Sequence, residues 1–284
     1  MSLRVLFPLA ALLAVSCAGG DTKDDTAAAE ADADSDSDSD ADTDADTDAD
    51  TDTDVDANAV LVGSAVDAGG NPVSGLRMQL CYHVCRTAES GADGSFRFEG
   101  VEGATHSLQA VTPGDTSVAV PTGLVTLGSD ETRTLPAPMV VVPFDTRRDI
   151  NAAGAVTSGL LTVEADPAGF TEGLYTTDYG EVYFASVSVD PSTAGVPLDT
   201  LDGTPVAMFH LGNYDGVLSP PWPFEIDGTF GLTAGQTVEI FAVDNATKLW
   251  ASGGTATVTE TGIESATGAG IPFLTTMVLV PTGG

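Results

Sequence analysis

The stretch that decides the fold is Ala92-Asp93-Gly94-Ser95-Phe96-Arg97-Phe98-Glu99. Its first three residues favour a tight turn, because glycine adopts positive φ angles readily and aspartate tolerates them. The two phenylalanines then alternate with polar neighbours, and this period of two places both rings on one face of a strand. The stretch therefore predicts a turn that leads into a strand with one apolar face.

The rest of residues 57–284 repeats this pattern. Short β-branched runs are interrupted by Gly, Pro and Asp roughly every 8–12 residues, which is typical of sandwiches, and no segment has a convincing helical period. We therefore predict an all-β chain with one β-sandwich over 58–143, a linker over 144–157 and a second sandwich over 158–284. The predicted strands are 59–66, 76–81, 85–88, 95–99, 105–111, 117–120 and 131–142, then 159–165, 181–189, 204–212, 223–226, 237–242, 249–258 and 273–280.

Two motifs give the first sandwich a family resemblance. They are Val62-Gly63-Ser64-Ala65-Val66-Asp67-Ala68-Gly69-Gly70-Asn71-Pro72-Val73-Ser74-Gly75-Leu76 and Thr87-Ala88-Glu89-Ser90-Gly91-Ala92-Asp93-Gly94-Ser95-Phe96-Arg97-Phe98-Glu99-Gly100-Val101. In this order and separation they resemble a carboxypeptidase regulatory-like domain over about 59–142. The resemblance implies a transthyretin-like, seven-stranded sandwich. One class of enzymes with this fold uses several histidines, an arginine and a Tyr-Arg-Gly-Ser ending, and this ending is missing here. Another class of related fold uses two tyrosines and two histidines on iron, whereas this segment has only Tyr82, His83 and His106. We expect no catalytic residue, metal or cofactor.

The second sandwich resembles bacterial surface modules of the ZU5-like kind. The similarity is carried by residues 231–244, by Leu249-Trp250 and by residues 253–258. Some relatives of that kind cleave themselves at His-Phe-Ser or His-Leu-Thr, where the hydroxyl attacks the preceding carbonyl. Here Phe209-His210-Leu211-Gly212 has glycine where the hydroxyl is needed, so self-cleavage is not expected. We predict His210 to be a strand residue at a sheet edge.

The chain opens with an apolar leader that ends at Cys17. Arg4 precedes an apolar stretch of about ten residues, which is typical of a secretory signal and too short to span a membrane. The ending Leu13-Ala14-Val15-Ser16-Cys17 resembles a bacterial lipobox. This implies a signal peptide over 1–16, lipid on Cys17 and the membrane as a partner. Ala18 resembles the outer-membrane sorting pattern, so we expect a lipid-anchored protein of the bacterial outer membrane, surface-exposed or facing the periplasm. A secreted protein with a cysteine near its cleavage site is the alternative.

An acidic stalk over 17–57 follows the anchor. Residues 21–56 contain sixteen Asp and one Glu against one Lys, so little apolar surface is available and like charges repel along the segment. We predict a disordered stalk. Calcium loops share its alternating aspartates but need a glycine, which is missing between Gly20 and Gly63, and diffuse cation binding is the alternative. The remainder of the chain is also acidic, which argues against nucleic acid as a partner.

Cysteine number supports both the anchor and a crosslink. The chain has three cysteines, and lipid on Cys17 leaves Cys81 and Cys85 as a pair in an oxidising compartment. A hairpin would place these two sulfurs across a three-residue loop, so we predict a disulfide. A zinc site with His83 falls short of four ligands, and a redox motif has two intervening residues rather than three.

An aromatic segment supplies the candidate binding residues. Pro220-Pro221-Trp222-Pro223-Phe224 could expose Trp222 and Phe224 for stacking on a sugar ring or a peptide. The alternative is a loop that plugs the open end of the sandwich. Three functions therefore stay open: a non-catalytic lipoprotein that presents two β-sandwiches for adhesion or structure, a glycan- or peptide-binding module that uses Trp222, and, least favoured, an enzyme.

Overall fold

Strands dominate the computed structural model, which describes residues 57–112, 115–176 and 180–283. The predicted signal peptide, the lipidation of Cys17 and the stalk up to residue 56 lie outside the described residues. Within the described part the only helical element is one 3₁₀ turn, Pro167–Gly169, and no helix there is long and apolar enough to cross a membrane.

The strands of the first sandwich are β1 Ala59–Asp67, β2 Arg77–Cys81, β3 Cys85–Glu89, β4 Ser95–Val101, β5 Thr105–Val111, β6 Thr122–Thr126, β7 Thr132–Thr134 and β8 Met139–Val141. Those of the second are β9 Thr146–Asp149, β10 Gly154–Ser158, β11 Leu161–Ala165, β12 Phe170–Thr171, β13 Tyr183–Val189, β14 Ala207–Gly212, β15 Val217–Trp222, β16 Phe224–Asp227, β17 Thr237–Asp244, β18 Leu249–Val258, β19 Gly262–Ser265, β20 Ile271–Phe273 and β21 Thr276–Pro281.

The first sandwich has two sheets. One is β4-β1-β7, with β8 also paired to β1, and the other is β3-β2-β5-β6. β7 and β8 both run parallel to β1 and together occupy the predicted strand 131–142. Pro136 and Pro138 separate them, because proline has no N–H to donate to a ladder. Counted as one interrupted strand, they complete the predicted seven-stranded sandwich.

The stretch of residues 92–99 folds as its pattern predicts. Phe96 and Phe98 are each 3% exposed on β4, whereas Ser95, Arg97 and Glu99 face solvent. The two rings pack edge to face with centroids 6.0 Å apart. Gly63 on β1 makes room for this pair, since a Cβ there would lie 2.4 Å from the Phe96 ring. The apolar face of β4 is therefore the centre of the first core.

The second sandwich combines a large sheet with a small one. The large sheet runs β10-β11-β16-β19-β18-β17-β21-β14-β13-β9, and the small one is β12-β15-β20. Their apolar faces share one core, to which Phe184, Phe209 and Met277 contribute from the large sheet and Leu218 and Ile271 from the small one. The all-β sandwich class predicted from the sequence is confirmed.

Two sequence predictions about elements are wrong. The segment 144–157, predicted as a linker, contains β9 and most of β10, which pair with β13 and β11. Its arginines explain the error: Arg147 looks like a linker residue, yet its guanidinium lies 3.8 Å from the Tyr183 ring and pairs with Glu181. Residues 117–120, predicted as a strand, make only a single bridge from Val118 to Pro143, and the strand lies later, at β6.

Buried polar residues join the two sandwiches, and we call this set the polar seam: Gln109, Thr122, Tyr214, Asp215, Asn245 and Thr276. The Tyr214 hydroxyl accepts hydrogen bonds from Thr122 Oγ1 at 3.1 Å and from Asn245 Nδ2 at 3.2 Å. Asn245 Nδ2 also donates to Asp215 Oδ1 at 2.7 Å, and the Thr122 amide donates to Thr276 Oγ1 at 2.9 Å. Because buried polar groups are costly unless paired, these bonds favour one relative placement of the sandwiches.

Candidate functional site

A disulfide closes the hairpin between β2 and β3. Cys81 and Cys85 are register partners on the two strands, and their sulfurs are bonded as the spacing predicted. The three residues between them project outward, with Tyr82 36% and Val84 79% exposed. The Tyr175 hydroxyl of the second sandwich donates a hydrogen bond to Cys85 Sγ at 3.1 Å. The crosslink and this contact hold the exposed loop in one place.

The loop borders a cavity of about 450 Å³, which we call the hairpin cavity. Residues 82–86 form one side of it, and Leu80, Glu102 and His106 complete the lining. Its volume lies in the range of small-molecule sites, which are usually a few hundred cubic ångströms or more. The cavity therefore has the size and the mixed lining of a ligand pocket.

Aromatic rings form one wall of the hairpin cavity. The Tyr82 and His83 ring centroids lie 4.0 Å apart with planes tilted by 44°. The His106 ring meets Tyr82 edge-on, with centroids 5.5 Å apart and planes at 64°. Rings fixed in this way supply flat contact area at a low cost in side-chain entropy.

His106 lines the cavity and has a buried ring with one nitrogen that is unpartnered among the described residues. Its side chain is 4% exposed, and its Nε2 lies 2.9 Å from the carbonyl oxygen of Glu102. A carbonyl oxygen only accepts, so Nε2 carries the hydrogen and Nδ1 of the neutral ring is an acceptor. This buried Nδ1 has no hydrogen-bond partner among the residues that the structure describes.

The surroundings of His106 keep its ring neutral. Burial lowers the pKa of His106 below its ordinary value, and the charges of Lys248 and Arg86 act in the same direction. The bond to the Glu102 carbonyl and the charge of the Glu102 carboxylate oppose this effect without reversing it. Near pH 7 the His106 ring is therefore neutral, and its Nδ1 is an unpartnered acceptor within the described part of the chain.

The ionisable groups at the polar seam are hydrogen-bonded to neighbouring polar groups. Burial raises the pKa of Asp215 and lowers that of Lys248, and both residues have positive φ, at 64° and 60°. Lys248 Nζ donates to the Asn245 carbonyl, and Asp215 accepts from Asn245 and from the Tyr175 amide. Strained backbone often marks functional sites, but here every named group has a partner within the seam. We interpret the seam as a structural junction.

The structure corrects the candidate binding residues Trp222 and Phe224. They are 1% and 3% exposed and belong to the second core, so neither can stack on a ligand from solvent. Prolines usually interrupt a strand, but β15 continues through Pro220 and Pro221. Trp222 then pairs with Ile271 after a shift in register. A bulged strand tolerates proline in this way, and the shift directs the indole inward.

Other sequence expectations have mixed outcomes. His210 lies on a strand, as predicted, but β14 is an inner strand between β13 and β21, and the side chain is fully buried rather than at an edge. Within the described ranges, no three His, Cys, Asp or Glu side chains are grouped closely enough to hold a metal ion. The sequence did not identify Tyr82 and His106 as site residues. The short crosslinked loop between Cys81 and Cys85 was the one feature that could have indicated an exposed Tyr82.

Comparisons with known proteins show only remote structural likeness. No family model and no curated protein matches the sequence. Among solved structures, a DUF3823 family protein from Bacteroides ovatus is 13% identical with a TM-score of 0.24, covering 76% of this chain and 82% of that one. A carbohydrate-binding candidate from Bacteroides uniformis is 11% identical with a TM-score of 0.23, covering 79% of each chain. The major pilin SpaD of Corynebacterium diphtheriae is 11% identical with a TM-score of 0.26, covering 80% and 87%.

Removing the disulfide should weaken the fold measurably. In the chain-entropy account, closing a loop this short contributes about 2 kcal/mol, so a Cys81→Ser/Cys85→Ser variant should unfold roughly 4–8 °C below the wild type. Thermal unfolding with and without a reductant checks this. The reductant should lower the wild type to the level of the variant and leave the variant unchanged; a wild type that ignores the reductant would contradict the crosslink.

Proposed function

We propose that the chain is a lipid-anchored protein of the bacterial outer membrane that holds a non-catalytic, ligand-binding β-sandwich pair on an acidic stalk. The observation that carries the binding role is the hairpin cavity, with its aromatic wall and its unpartnered His106 acceptor. The polar groups with shifted pKa at the seam support the non-catalytic role, because they are engaged in structural hydrogen bonds. The ligand is a glycan or a protein segment, bound beside Tyr82 instead of Trp222.

The anchor rests on the leader and on the cysteine count. Lipid on Cys17 leaves Cys81 and Cys85 for the disulfide that the structure contains. The first sandwich supports the resemblance to a carboxypeptidase regulatory-like domain, since its strands fall into the sheets β4-β1-β7 and β3-β2-β5-β6. An acidic stalk suits display, because like charges extend a chain. Stable anchoring needs more than one acyl chain, which bacterial lipoproteins of this type carry.

Replacing Cys17 should release the protein from the membrane. In a Gram-negative host we expect the wild type to partition almost entirely into the membrane fraction and a Cys17→Ser variant to lose most of that association. The readouts are fractionation and the intact mass of the mature chain, which reports the acyl groups. The Cys81→Ser/Cys85→Ser variant is the matched control and should stay membrane-bound. Membrane association that survives Cys17→Ser would overturn the anchor. For the wild type, protease shaving of intact cells distinguishes display at the cell surface from an orientation toward the periplasm.

A ligand screen tests the binding role. The mature protein in detergent is tested against glycans and peptides, with a Tyr82→Ala variant beside it. Binding that depends on Tyr82 supports a ligand-binding function at the hairpin cavity. Binding that is indifferent to Tyr82 would place the ligand elsewhere on the chain and overturn the assignment of the cavity.

A further inference from the structure

We propose that the ligand of the hairpin cavity is a carbohydrate, held by stacking of a pyranose ring on the Tyr82–His83 wall and by a sugar hydroxyl that donates to Nδ1 of His106. This inference deepens the proposed binding function and rests on it. The Tyr82–His83 rings indicate the ligand class, and His106 Nδ1 is the atom that determines specificity.

The tautomer of His106 decides which ligand groups fit. Nε2 donates to the Glu102 carbonyl, so Nδ1 offers a lone pair and requires a donor. A hydroxyl supplies one, whereas a carboxylate or a phosphate would place an acceptor against an acceptor. The acidic balance of residues 57–284, with 25 acidic against seven basic side chains, also disfavours an anion. The unpartnered Nδ1 therefore favours a ligand that presents a hydrogen-bond donor, such as a hydroxyl, over an anion.

The aromatic wall supplies the second half of the recognition. A pyranose has a face of C–H groups that packs on a flat ring, and its edge carries hydroxyls in several directions. Tyr82 and His83 present such rings at the surface, and the side chains of Glu102 and Arg86 line the same cavity as an acceptor and a donor. Val84, at 79% exposure, also lines the cavity and places it at the molecular surface, where a longer glycan can continue into solvent.

Two other cavities lined by described residues lack this combination. One of about 240 Å³ lies beside Phe224 and is lined by Glu164, Glu225 and Glu264, whose carboxylates repel anionic ligands. Phe224 is buried, so this cavity offers no aromatic face to a ligand. Another of about 290 Å³ lies between Leu174 and Phe273 and borders Asp215, whose carboxylate is already bonded within the seam. A peptide also offers N–H donors to His106, and it is the competing outcome of the test.

A glycan array probed with the mature, lipidated protein in detergent tests the proposal. The array displays neutral and acidic glycans beside control peptides, and the variants are Tyr82→Ala, His106→Phe and Leu160→Ala. Leu160 is 41% exposed and does not line the cavity, so it is the matched control. We expect the wild type to bind neutral glycans, Tyr82→Ala and His106→Phe each to lose about tenfold or more, and Leu160→Ala to bind as the wild type does.

The wild type gives a second readout that needs no core substitution. Protonation of His106 removes the acceptor, so glycan binding should hold from pH 8 to about 6.5 and fall in more acidic buffer, because burial keeps the pKa of His106 below its ordinary value. Glu102, Arg86 and Lys248 are the charged groups that act on this imidazole, and the Tyr82 and His83 rings line the same cavity. Glycan binding that survives His106→Phe or Tyr82→Ala overturns the proposal. Binding of peptides alone would overturn the carbohydrate proposal but leave the binding function standing. Binding of neither glycans nor peptides would overturn both the carbohydrate proposal and the binding function. The anchor at Cys17 is tested separately by membrane fractionation.

Discussion

A Trp222→Ala variant is expected to lose about 3–5 kcal/mol of unfolding free energy, the largest effect of any single substitution considered for this chain. The indole is 1% exposed in the core shared by the two sheets of the second sandwich. Removing so large a side chain leaves a cavity that the surrounding core fills only in part. Chemical denaturation of both proteins measures the difference.

A Trp222→Phe variant separates packing from polarity. It keeps a ring in the core and removes the indole N–H, which has no hydrogen-bond partner among the described residues. We therefore expect a clearly smaller loss than for alanine. The same samples also test the corrected site: Trp222→Phe should bind ligand as the wild type does. A Trp222→Ala protein with wild-type stability would show that the indole is exposed after all.

Acid should destabilise the protein through His210, and this is the second large effect. Complete burial lowers the pKa of His210 to about 3, whereas in the unfolded chain the ordinary value is about 6.5. Between these values the unfolded state binds a proton that the native state does not. Stability is therefore intact above pH 6.5 and falls by about 1.4 kcal/mol for each pH unit below it, which amounts to about 3 kcal/mol at pH 4.5.

A His210→Gln variant isolates this contribution. Glutamine does not titrate and can still reach Thr276, whose Oγ1 lies 2.9 Å from His210 Nδ1 in the wild type. Asp215 affects the pH dependence of stability in the opposite direction, because burial raises its pKa and the native state therefore binds this proton before the unfolded state does. Both proteins contain Asp215, so its contribution cancels when the wild type and the variant are compared. Denaturation at several pH values should show a shallower decline for the variant. Equal slopes would mean that His210 is hydrated or already protonated in the folded protein.

Local pattern predicted much of the fold, because its signals lie within a few residues of each other. The alternation around Phe96 and Phe98 and the loop between Cys81 and Cys85 are of this kind. β9 and β10 were missed because β9 is highly charged and β10 is a short run of mostly small residues, and they become strands only through pairing with β13 and β11. Trp222 was misplaced for the same reason, since its burial depends on Ile271, which lies far along the chain.

The binding cavity was harder to foresee than the fold. Its wall combines the hairpin with Glu102 and with His106 on β5, and spacing in the sequence does not reveal that these meet. The state of His106 depends on a carbonyl of the backbone four residues earlier, a contact that composition cannot report. The disulfide was predictable, and the structure adds its role: it presents Tyr82, while the polar seam holds the second sandwich and its Tyr175 against Cys85.

The most direct test of the account is a crystal structure of the mature protein with a neutral glycan that it binds. We predict a pyranose ring on the Tyr82–His83 wall, with one hydroxyl within hydrogen-bonding distance of His106 Nδ1 and Trp222 still enclosed in its core. A glycan seated elsewhere, such as in the cavity beside Phe224, or one that turns an acceptor toward Nδ1, would contradict the account.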